Sequence, residues 1–594
     1  MPQPYVYDPS ALRDVFDHHF TFSAGFWRNV HRYAERLAML DPATGRSWTY
    51  AELGGDVNRV AAGLAARGVR PRDVITFQLY NSAEFALLYL AAQRLRAVAA
   101  PVNFRFSPGE TAYVLDDSLP AVHVFDASLA GATSEALGIA AHRPGLLVEA
   151  GEGSGEGATS LGALPEGGAD GRGQGTASFG TLLGSGADGS GDGAVSFGSL
   201  LESGADVPDA GTGTTWDEST RLYTSGTTGM PKGVPLPSVA EVLTAHDVIM
   251  HFPLTPEDKT LNMTPWFHRG GISPGGPNAV FYAGASAFPM RAFDPATVLD
   301  YVARYGITFL IGAPTNLELL ANEQEARPRD LSSLRGIVTM GAPLERAACL
   351  RYQSVLTPRI FNGYGTTEAF WNTFLRPADL PEHAGSAGRA CTDDDVAVAA
   401  LAPDGESGSA ADLVPQDGTT VGEVVMRSVK SGYAYVHNPG EEAARFRGGW
   451  VFTGDLATWD ELGYVTIVGR KDDMIISGGE NVHPVQVEEA LNEHPLVRES
   501  LVVGVPDPRW GEVVVAYVVP AAGESGTGES GTGGLTAAEC DKHLLAHPML
   551  ANFKRPRGYK FVPALPRTAT GKLMHYKLRE EARAGAGLDQ FERP

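Results

Sequence analysis

The chain has 594 residues, 43% of them hydrophobic and 20% charged, and a net charge of −23 at pH 7. This length exceeds a single hydrophobic core and predicts several domains, while the negative charge argues against nucleic acid or an anionic membrane surface as the main partner. Three cysteines, Cys349, Cys391 and Cys540, offer neither a metal-ligand spacing nor a disulfide framework, which fits a reducing cytoplasm.

Residues 47–130 predict alternating helices and strands. The start, MPQPYVYDPS, lacks the basic and apolar regions of a signal peptide, and apolar runs such as FALLYLAAQRL are broken by charge before membrane-spanning length. Thr49 is a predicted N-cap, followed by an apolar stripe and a stop at Gly68. DVITFQLYN then predicts a strand and SAEFALLYLAAQRLRA a helix. The period indicates an α/β domain with a mostly parallel sheet.

Residues 150–215 interrupt this alternation with a Gly-, Ala- and Ser-rich repeat. TSLGALPEGGAD, ASFGTLLGSGAD and VSFGSLLESGAD recur every 18 residues. A solenoid needs larger apolar faces in each repeat, so we interpret the segment as a duplicated surface insertion, partly disordered. GESGTGESGTGG at 523–534 predicts a second low-complexity loop.

The remainder predicts a continuation of the large domain and a smaller one. Strands followed by glycine turns, as in GITFLIGAPT and LRGIVTMGAPL, continue to about residue 465, and shorter units follow residue 469, where Pro484 begins a helix. We therefore predict an N-terminal domain over 1–470 and an α+β C-terminal domain over 471–594.

The segment YTSGTTGMPKGV, residues 223–234, has the composition of an anion-binding loop. Gly226, Gly229 and Gly233 let backbone N–H groups converge, the Ser and Thr hydroxyls add donors, and Lys232 supplies charge. The Walker A pattern fails, because Gly233 follows the lysine where Ser or Thr is required. A phosphate chain is the expected ligand; the alternative is a mobile glycine loop that binds nothing.

Four further loops carry groups suited to a nucleotide. In NGYGTTE, Tyr364 is expected to stack on a base and Glu368 to hold Mg²⁺. FTGD ends in Asp455, an acceptor for ribose hydroxyls, and GRKDD carries Arg470 where the two domains meet. PRTATGK ends in Lys572 on another flexible loop. Singly each is consistent with a turn, a capping acid or a solvated charge, but together they indicate a site.

In this order, YTSGTTGMPKG, GYGTTE, TGD and GRKDD resemble the motifs of the ANL superfamily, which contains acyl- and aryl-CoA synthetases, adenylation domains and luciferases. The resemblance covers about residues 25–582, apart from the repeat segment. It implies a large N-terminal domain of packed sheets and helices, joined to a small mobile C-terminal domain by a hinge at Asp472.

The resemblance also implies two half-reactions: a carboxylate attacks the α-phosphate of MgATP to give an acyl-adenylate and pyrophosphate, and a thiol then attacks the activated carbonyl. Lys232 and its loop would hold the β- and γ-phosphates, Thr367 would reach the α-phosphate, and Lys572 would bridge carboxylate and α-phosphate in the first step only. Glu368 and Thr228 would ligate Mg²⁺. The ATP and AMP contacts implied are Thr224, Ser225, Gly226, Thr227, Thr228, Gly229, Lys232, Gly341, Ala342, Asn362, Tyr364, Gly365, Thr366, Thr367, Asp455, Arg470 and Lys572.

Two short segments point to coenzyme A as the thiol. DPRWGE and NFKRPR resemble the CoA-nucleotide contacts of aryl-CoA ligases, and Arg105 in PVNFR matches a further phosphate contact. The residues implied are Arg105, Trp510, Phe553, Arg555 and Arg557. FKRPR as a merely solvated basic turn is the alternative. No carrier domain follows in this sequence, which disfavours a modular peptide synthetase.

The acyl pocket is expected to draw on TPWFHRGG and EAFWN. His268 matches the residue that gates this pocket between half-reactions, while Arg269 departs from the small apolar residue usual there; if it points inward, it favours a second anionic or polar group. The pocket residues implied are Trp266, His268, Arg269, Trp371 and Asn372. An aryl or arylacrylic acid is favoured over a fatty acid.

Other acceptors and substrates stay open. An amide-forming ligase, or a diazotase that activates nitrite for an aryl amine, would use the same adenylating site, and a non-catalytic ATP-binding module is disfavoured by the intact set of motifs. The expected ligands are ATP, Mg²⁺, CoA and a small acid, in a cytoplasmic protein for which a homodimer is one expected assembly.

Overall fold

The computed structural model describes residues 7–151, 193–211, 213–225, 230–402, 407–477, 480–507, 510–521, 535–547, 550, 552–567, 573–584 and 587–594. Within these residues the strands form four sheets, three of them from strands up to Arg470 and the fourth from strands beginning at Ile475. The prediction of a mixed α/β protein with several packed sheets is confirmed.

The first sheet has nine strands in the order β16-β15-β14-β13-β12-β10-β11-β1-β2 and is parallel from β14 to β1. Its strands are β1 (Leu37–Leu40), β2 (Ser47–Thr49), β10 (Lys259–Asn262), β11 (Ser286–Ala287), β12 (Phe309–Gly312), β13 (Gly336–Met340), β14 (Ile360–Thr366), β15 (Phe370–Leu375) and β16 (Arg389–Ala390).

The second sheet has seven strands in the order β7-β6-β5-β3-β4-β8-β9, parallel except for the β8–β9 hairpin. Its strands are β3 (Val74–Gln78), β4 (Val98–Pro101), β5 (Val122–Asp126), β6 (Leu146–Ala150), β7 (Val195–Ser196), β8 (Glu218–Ser225) and β9 (Pro231–Pro237).

Two five-stranded sheets complete the set. An antiparallel one contains β17 (Asp394–Ala399), β18 (Gly422–Ser428), β19 (Phe446–Arg447), β20 (Trp450–Trp459) and β21 (Val465–Arg470). The other, near the C-terminus, contains β22 (Ile475–Ser477), β23 (Glu480–Val482), β24 (Val497–Asp507), β25 (Gly511–Pro520) and β26 (Tyr559–Phe561).

Helices connect the strands and cover the sheets. In chain order they are α1 (Ser10–His19), α2 (Phe22–Arg32), α3 (Tyr50–Ala66), α4 (Ala83–Leu95), α5 (Pro108–Ser118), α6 (Ala130–Ile139), α7 (Gly198–Leu201), α8 (Ser238–His251), α9 (Arg269–Ile272), α10 (Pro277–Ala283), α11 (Pro295–Tyr305), α12 (Pro314–Ala326), α13 (Arg346–Val355), α14 (Pro439–Arg445), α15 (Pro484–Asn492), α16 (Ala537–Ala546) and α17 (His575–Ala584). In the part of the chain that is described, none of them is long and apolar enough to cross a membrane.

Local sequence signals set several of these bounds as predicted. Thr49 caps α3 by accepting the Glu52 N–H, and the helix ends before Gly68, which has φ +100°. Pro484 begins α15. Helix α4 is buried on nearly all sides, because it lies in the largest hydrophobic core together with residues of the first two sheets.

The interpretation of the whole of 150–215 as a surface insertion is wrong for its last repeat. Val195 and Ser196 pair with β6, while Phe197 and Leu200 are buried at 5% and 0% exposure. A Cβ at Gly63 of α3 would lie 2.8 Å from the Leu200 carbonyl oxygen, so α7 packs tightly on α3. Two buried apolar side chains are enough to hold this repeat on the domain, because the backbone pairing of its edge strand with β6 holds it as well. The first two repeats, at 159–170 and 177–188, and the loop at 523–534 lie outside the described residues.

Candidate active site

The loops predicted to line the acyl pocket and the TTE turn lie at one edge of the nine-stranded sheet. Strands β10, β12, β13 and β14 are parallel neighbours, so their carboxyl ends lie at the same edge. These strands run into the loops that begin TPWFH, APT, GAP and TTE in the sequence. Crevices outside the carboxyl ends of parallel strands are the usual binding sites of α/β sheets.

The β14–β15 hairpin carries the TTE residues on a tight turn. Thr366 pairs with Phe370, which leaves Thr367, Glu368 and Ala369 as the turn. A Cβ at Gly365 would lie 1.6 Å from the Phe370 carbonyl oxygen, so only glycine fits there. Phe370 itself has φ +63°, a conformation that costs a non-glycine residue about 1–2 kcal/mol. The turn is therefore held by contacts outside itself.

Glu368 lies in a buried polar environment. The residue is 9% exposed, and the Tyr435 hydroxyl donates to its Oε1 at 2.5 Å. Burial and the Glu368 carboxylate raise the pKa of Tyr435 far above its ordinary value, so the phenol stays a donor. Burial opposes the charge of Arg445, yet the Glu368 carboxylate keeps the pKa of Arg445 above its ordinary value. Tyr435 and Arg445 were not predicted.

Lys232 is nearly buried and ion-paired. It faces Thr224 across the β8–β9 hairpin, is 6% exposed, and its Nζ lies 2.7 Å from Glu441 Oε2. Glu441 lies in the first turn of α14, where Asn438 accepts the Glu441 N–H. The lysine expected to meet phosphates is thus held beside a carboxylate that the sequence analysis did not identify.

Asp455, Arg470 and Tyr364 form one cluster. Asp455 and Arg470 pair across β20 and β21, with Arg470 Nη1 2.8 Å from Asp455 Oδ1. The Tyr364 hydroxyl donates to Asp455 Oδ2 at 2.8 Å. Burial and the Asp455 carboxylate raise the pKa of Tyr364 well above its ordinary value, so the hydroxyl remains protonated. Three residues from three separate motifs therefore meet in the fold.

Some of the other predicted nucleotide contacts lie within the described residues, and the rest lie outside them. Gly341, with φ +87°, and Gly365 are exposed at the sheet edge, Ala342, Thr224, Thr366 and Thr367 are half-buried, and Asn362 is buried on β14. Ser225 ends β8 opposite Pro231. The remaining predictions, Gly226, Thr227, Thr228, Gly229 and Lys572, lie outside the described residues.

Arg269 is buried and engaged by the protein itself. Its guanidinium donates to the Thr367 carbonyl at 2.6 Å, to the Lys430 carbonyl at 2.6 Å and to Thr244 Oγ1 at 3.1 Å. Burial lowers the pKa of Arg269 to about 10, against the opposing effect of Glu241, so the side chain is a cation at neutral pH. His268, directly before it, packs on Phe267 with ring centroids 4.2 Å apart.

The other predicted pocket residues are deeply buried. Trp266 is 1% exposed and packs edge-on against Phe85 of α4, with ring centroids 5.6 Å apart. Trp371 is 2% exposed and donates its indole N–H to Asp247. Asn372 is fully buried, and neither atom of its amide has a partner within the described residues.

Asp247 belongs to a buried ion network behind Trp371. Lys430 Nζ lies 3.0 Å from Asp247 and 2.6 Å from Asp394, and His251 lies 3.1 Å from Asp247. Asp247, His251 and Cys391 are close enough together to ligate a metal ion. The Lys430 ammonium already neutralises Asp247, so the arrangement fits an ion network better than a metal site.

The predicted CoA residues differ in exposure and in their contacts. Arg105 is exposed and lies over the Phe104 ring at 5.3 Å, and Trp510 is 46% exposed. Arg555 pairs with Asp541, whereas Arg557 is exposed and its backbone N–H donates to Val514. The Phe553 backbone lies in a short 3₁₀ turn, and its side chain lies outside the description.

The predicted hinge lies in the turn Lys471–Asp473 between β21 and β22. Asp473 lies 3.4 Å from Arg579 of α17, and His575 at the start of that helix lies 2.8 Å from Glu488 of α15. Although burial opposes it, the Glu488 carboxylate raises the pKa of His575 above its ordinary value. The side chain of Asp472 lies outside the description.

Three contacting residues that sequence analysis missed, Tyr435, Glu441 and Arg445, lie in one segment, YVHNPGEEAAR. Asn-Pro-Gly-Glu-Glu is a recognisable helix start with two acids in its first turn. This pattern predicts a helix but does not identify the partners of its acidic residues, because those partners lie on strands far away in the sequence.

Comparison with known proteins places the chain in a family. The AMP-binding enzyme family matches residues 26–434, and the AMP-binding enzyme C-terminal domain matches residues 486–572. A feruloyl-CoA synthase from Amycolatopsis is 32% identical over 542 residues, covering 90% of this chain and 94% of that protein. An indoleacetate–CoA ligase from Aromatoleum aromaticum is 32% identical over 539 residues, covering 90% and 93%.

A solved structure gives the same result for the fold. The anthranilate CoA ligase AuaEII in complex with anthranoyl-AMP superposes with a TM-score of 0.78 at 25% identity, covering 95% of this chain and 98% of that one. The predictions of an ANL fold and of an AMP-forming ligase are confirmed. The chain belongs to the AMP-binding enzyme family.

Proposed function

We propose that this enzyme ligates an aryl carboxylic acid to coenzyme A through an acyl-adenylate, with ATP as the second substrate. The observation that carries the proposal is the Tyr364–Asp455–Arg470 cluster beside the hairpin of Thr367 and Glu368, since it provides ribose acceptors next to groups suited to phosphates. Relatives named as feruloyl-CoA synthase and indoleacetate–CoA ligase support an aryl acid and CoA.

In the first half-reaction an oxygen of the substrate carboxylate bonds to the α-phosphorus of ATP, and the bond to the pyrophosphate oxygen breaks. Negative charge grows on the phosphate oxygens, and cations with preorganised donors stabilise it. Lys232 neutralises the leaving pyrophosphate once it exchanges Glu441 for phosphate oxygens. Asp455 and Arg470 hold the ribose, and the Thr367 hydroxyl donates to the α-phosphate.

The Glu368 site suits Mg²⁺. A buried carboxylate is a hard oxygen ligand, and the neighbouring Thr366 Oγ1 is buried with no partner within the described residues. Mg²⁺ is usually bound by one or two carboxylates together with substrate phosphates. When bound there, the ion would neutralise phosphate charge, and Glu368 with Thr228 would hold it. Tyr435 keeps the carboxylate oriented.

In the second half-reaction the CoA sulfur bonds to the acyl carbon and AMP leaves with the electron pair of the broken acyl–oxygen bond. We place the domain boundary at 470–471 and propose that the C-terminal domain turns about Asp472, taking Lys572 out of the site. Arg105, Trp510, Phe553, Arg555 and Arg557 would then contact the CoA nucleotide. Arg555 retains Asp541 as a partner that fixes its guanidinium.

The buried polar atoms of the predicted pocket favour an aryl acid with hydrogen-bonding substituents. In this pocket Trp266 Nε1 and both side-chain amide atoms of Asn372 have no partner within the described residues. Buried polar groups are nearly always hydrogen-bonded, so a hydroxyl or amino group on the ring is the expected partner. The proposal also places the enzyme in the cytoplasm, because Cys349, Cys391 and Cys540 are free thiols. A homodimer stays a prediction.

Pyrophosphate release measured over a panel of acids, with and without CoA, tests the proposal. Hydroxylated and unsubstituted benzoates and cinnamates, a C16 fatty acid, and nitrite with an aryl amine form the panel. We expect release with hydroxylated aryl acids and a CoA thioester as product. Release only with nitrite, or an acyl-adenylate that reacts with amines but not with CoA, would contradict it.

A further inference from the structure

Arg269 presents an unusual combination of charge, burial and partners. It begins the short helix α9 directly after His268 and is 3% exposed. Its side chain contacts the turn of the β14–β15 hairpin at Thr367. None of the described carboxylates lies within ion-pair distance of its guanidinium. A buried cation placed in this way must be satisfied by other acceptors.

Those acceptors are backbone carbonyls from two separate parts of the chain. Arg269 Nη1 donates to Thr367 O and Nη2 to Lys430 O, both at 2.6 Å. The nearby Glu241 carboxylate is already bonded to Tyr89 at 2.7 Å and to Asn278 at 2.9 Å. The planar guanidinium suits this role because its donors are fixed in a rigid fork that spans two acceptors.

The contact with Thr367 lies on the strained turn. Phe370, at the end of that turn, has φ +63°, and the Arg269 guanidinium lies 5.6 Å from the centre of its ring. Arg269 therefore touches the turn at Thr367 and again at Phe370. A strained backbone conformation persists when contacts with the surrounding structure hold it in place. The Arg269 side chain supplies two such contacts.

We propose that Arg269 is a positioning residue for adenylation: it fixes the backbone of the turn that carries Thr367 and Glu368 and does not bind the substrate acid. This inference rests on the proposed acid activation. Both terminal nitrogens of its guanidinium donate to protein oxygens, which leaves only Nε without a partner within the described residues. The distance of Thr367 from the α-phosphate then depends on a residue that touches no reacting atom.

Replacement of Arg269 by Met and by Lys tests the proposal, with Arg96→Met as the matched control. Arg96 also donates to a backbone carbonyl, of Ala210, and to Asp217, away from the hairpin. For each variant, steady-state pyrophosphate release gives kcat and the KM for the acid, and thermal unfolding gives the Tm. Arg269→Lys keeps the charge and removes the fork, so it serves where the Met variant fails to fold.

We expect R269M to lower kcat for pyrophosphate release at least tenfold with the acid KM unchanged within twofold, and R269K to lower it severalfold. R96M should lower the Tm and leave kcat unchanged. An acid KM raised tenfold at unchanged kcat would make Arg269 a substrate ligand, and a lower Tm alone would make it merely structural; either result overturns the proposal. Wild-type enzyme that releases no pyrophosphate with any acid would instead overturn the proposed function.

Discussion

Lys232 and Glu441 form an ion pair of 2.7 Å between the glycine-loop hairpin and the first turn of α14. The lysine is 6% exposed, so its charge is removed from water and balanced by this one carboxylate. In the proposed role of Lys232, ATP binding exchanges that partner for phosphate oxygens. Glu441 therefore competes with the nucleotide for the cation.

Replacing Glu441 by Gln should strengthen ATP binding and lower the stability of the nucleotide-free enzyme. An unpaired buried ammonium costs about 1–3 kcal/mol, which is recovered when phosphate arrives. We expect the Kd for ATP to fall by about 3–10-fold and the free energy of unfolding without nucleotide to fall by about 1–2 kcal/mol. Calorimetric titration and urea unfolding measure both. Glu257→Gln, which breaks the exposed pair with Arg36, is the control, and weaker ATP binding by E441Q would refute competition.

Lys572→Ala should separate the two half-reactions. The resemblance assigns this lysine to the first step alone, since it bridges carboxylate and α-phosphate oxygens there. We expect adenylate formation to fall at least about 100-fold, because a lost charge contact to developing negative charge costs roughly 2.7–4 kcal/mol. Thioester formation from supplied acyl-adenylate should stay within about threefold of wild type on the same reasoning. Equal loss of both steps would contradict this division.

Asn372→Leu should change substrate preference without damaging the fold. Removing a buried amide that has no partner within the described residues is neutral or stabilising, so the Tm should not fall. The preference in kcat/KM for a hydroxylated over an unsubstituted aryl acid should drop by about 5–20-fold, as expected for one hydrogen bond of roughly 1–2 kcal/mol. Asn29→Leu is the matched control; it should be destabilising, because the Asn29 amide donates to Phe281 and Tyr282 carbonyls. Unchanged preference in N372L would exclude Asn372 from the pocket.

Stability should fall between about pH 6.5 and pH 4 through buried histidines. Burial lowers the pKa of His123 to about 4, and burial with Lys554 nearby lowers that of His483 to about 4. Between the unfolded and folded pKa values the unfolded chain binds more protons, so unfolding becomes easier as the pH falls through this range. Urea midpoints across pH 4–8 measure the slope. His123→Gln should flatten it, and an unchanged slope would show that His123 does not contribute.

The local elements and the family were readable from the sequence because they depend on short-range signals. The Thr49 cap, the stop at Gly68, the Pro484 helix start and the helix α4 all follow from the local sequence. The GYGTTE glycine is equally local, since a side chain at Gly365 would collide with the Phe370 carbonyl.

The partners of the site residues required the tertiary structure. Glu441, Tyr435 and Arg445 reach Lys232 and Glu368 only because the segment 435–445 lies beside both motifs in the fold, and no spacing encodes that contact. The sequence did not determine whether the Arg269 side chain points into the pocket. In the fold it donates to the Thr367 and Lys430 carbonyls. The last SFGSLL repeat likewise forms an edge strand and a short helix with buried Phe197 and Leu200, because it pairs with β6 and packs on α3. Short-range chemistry thus determined which groups the chain carries, and long-range packing decided which of them meet.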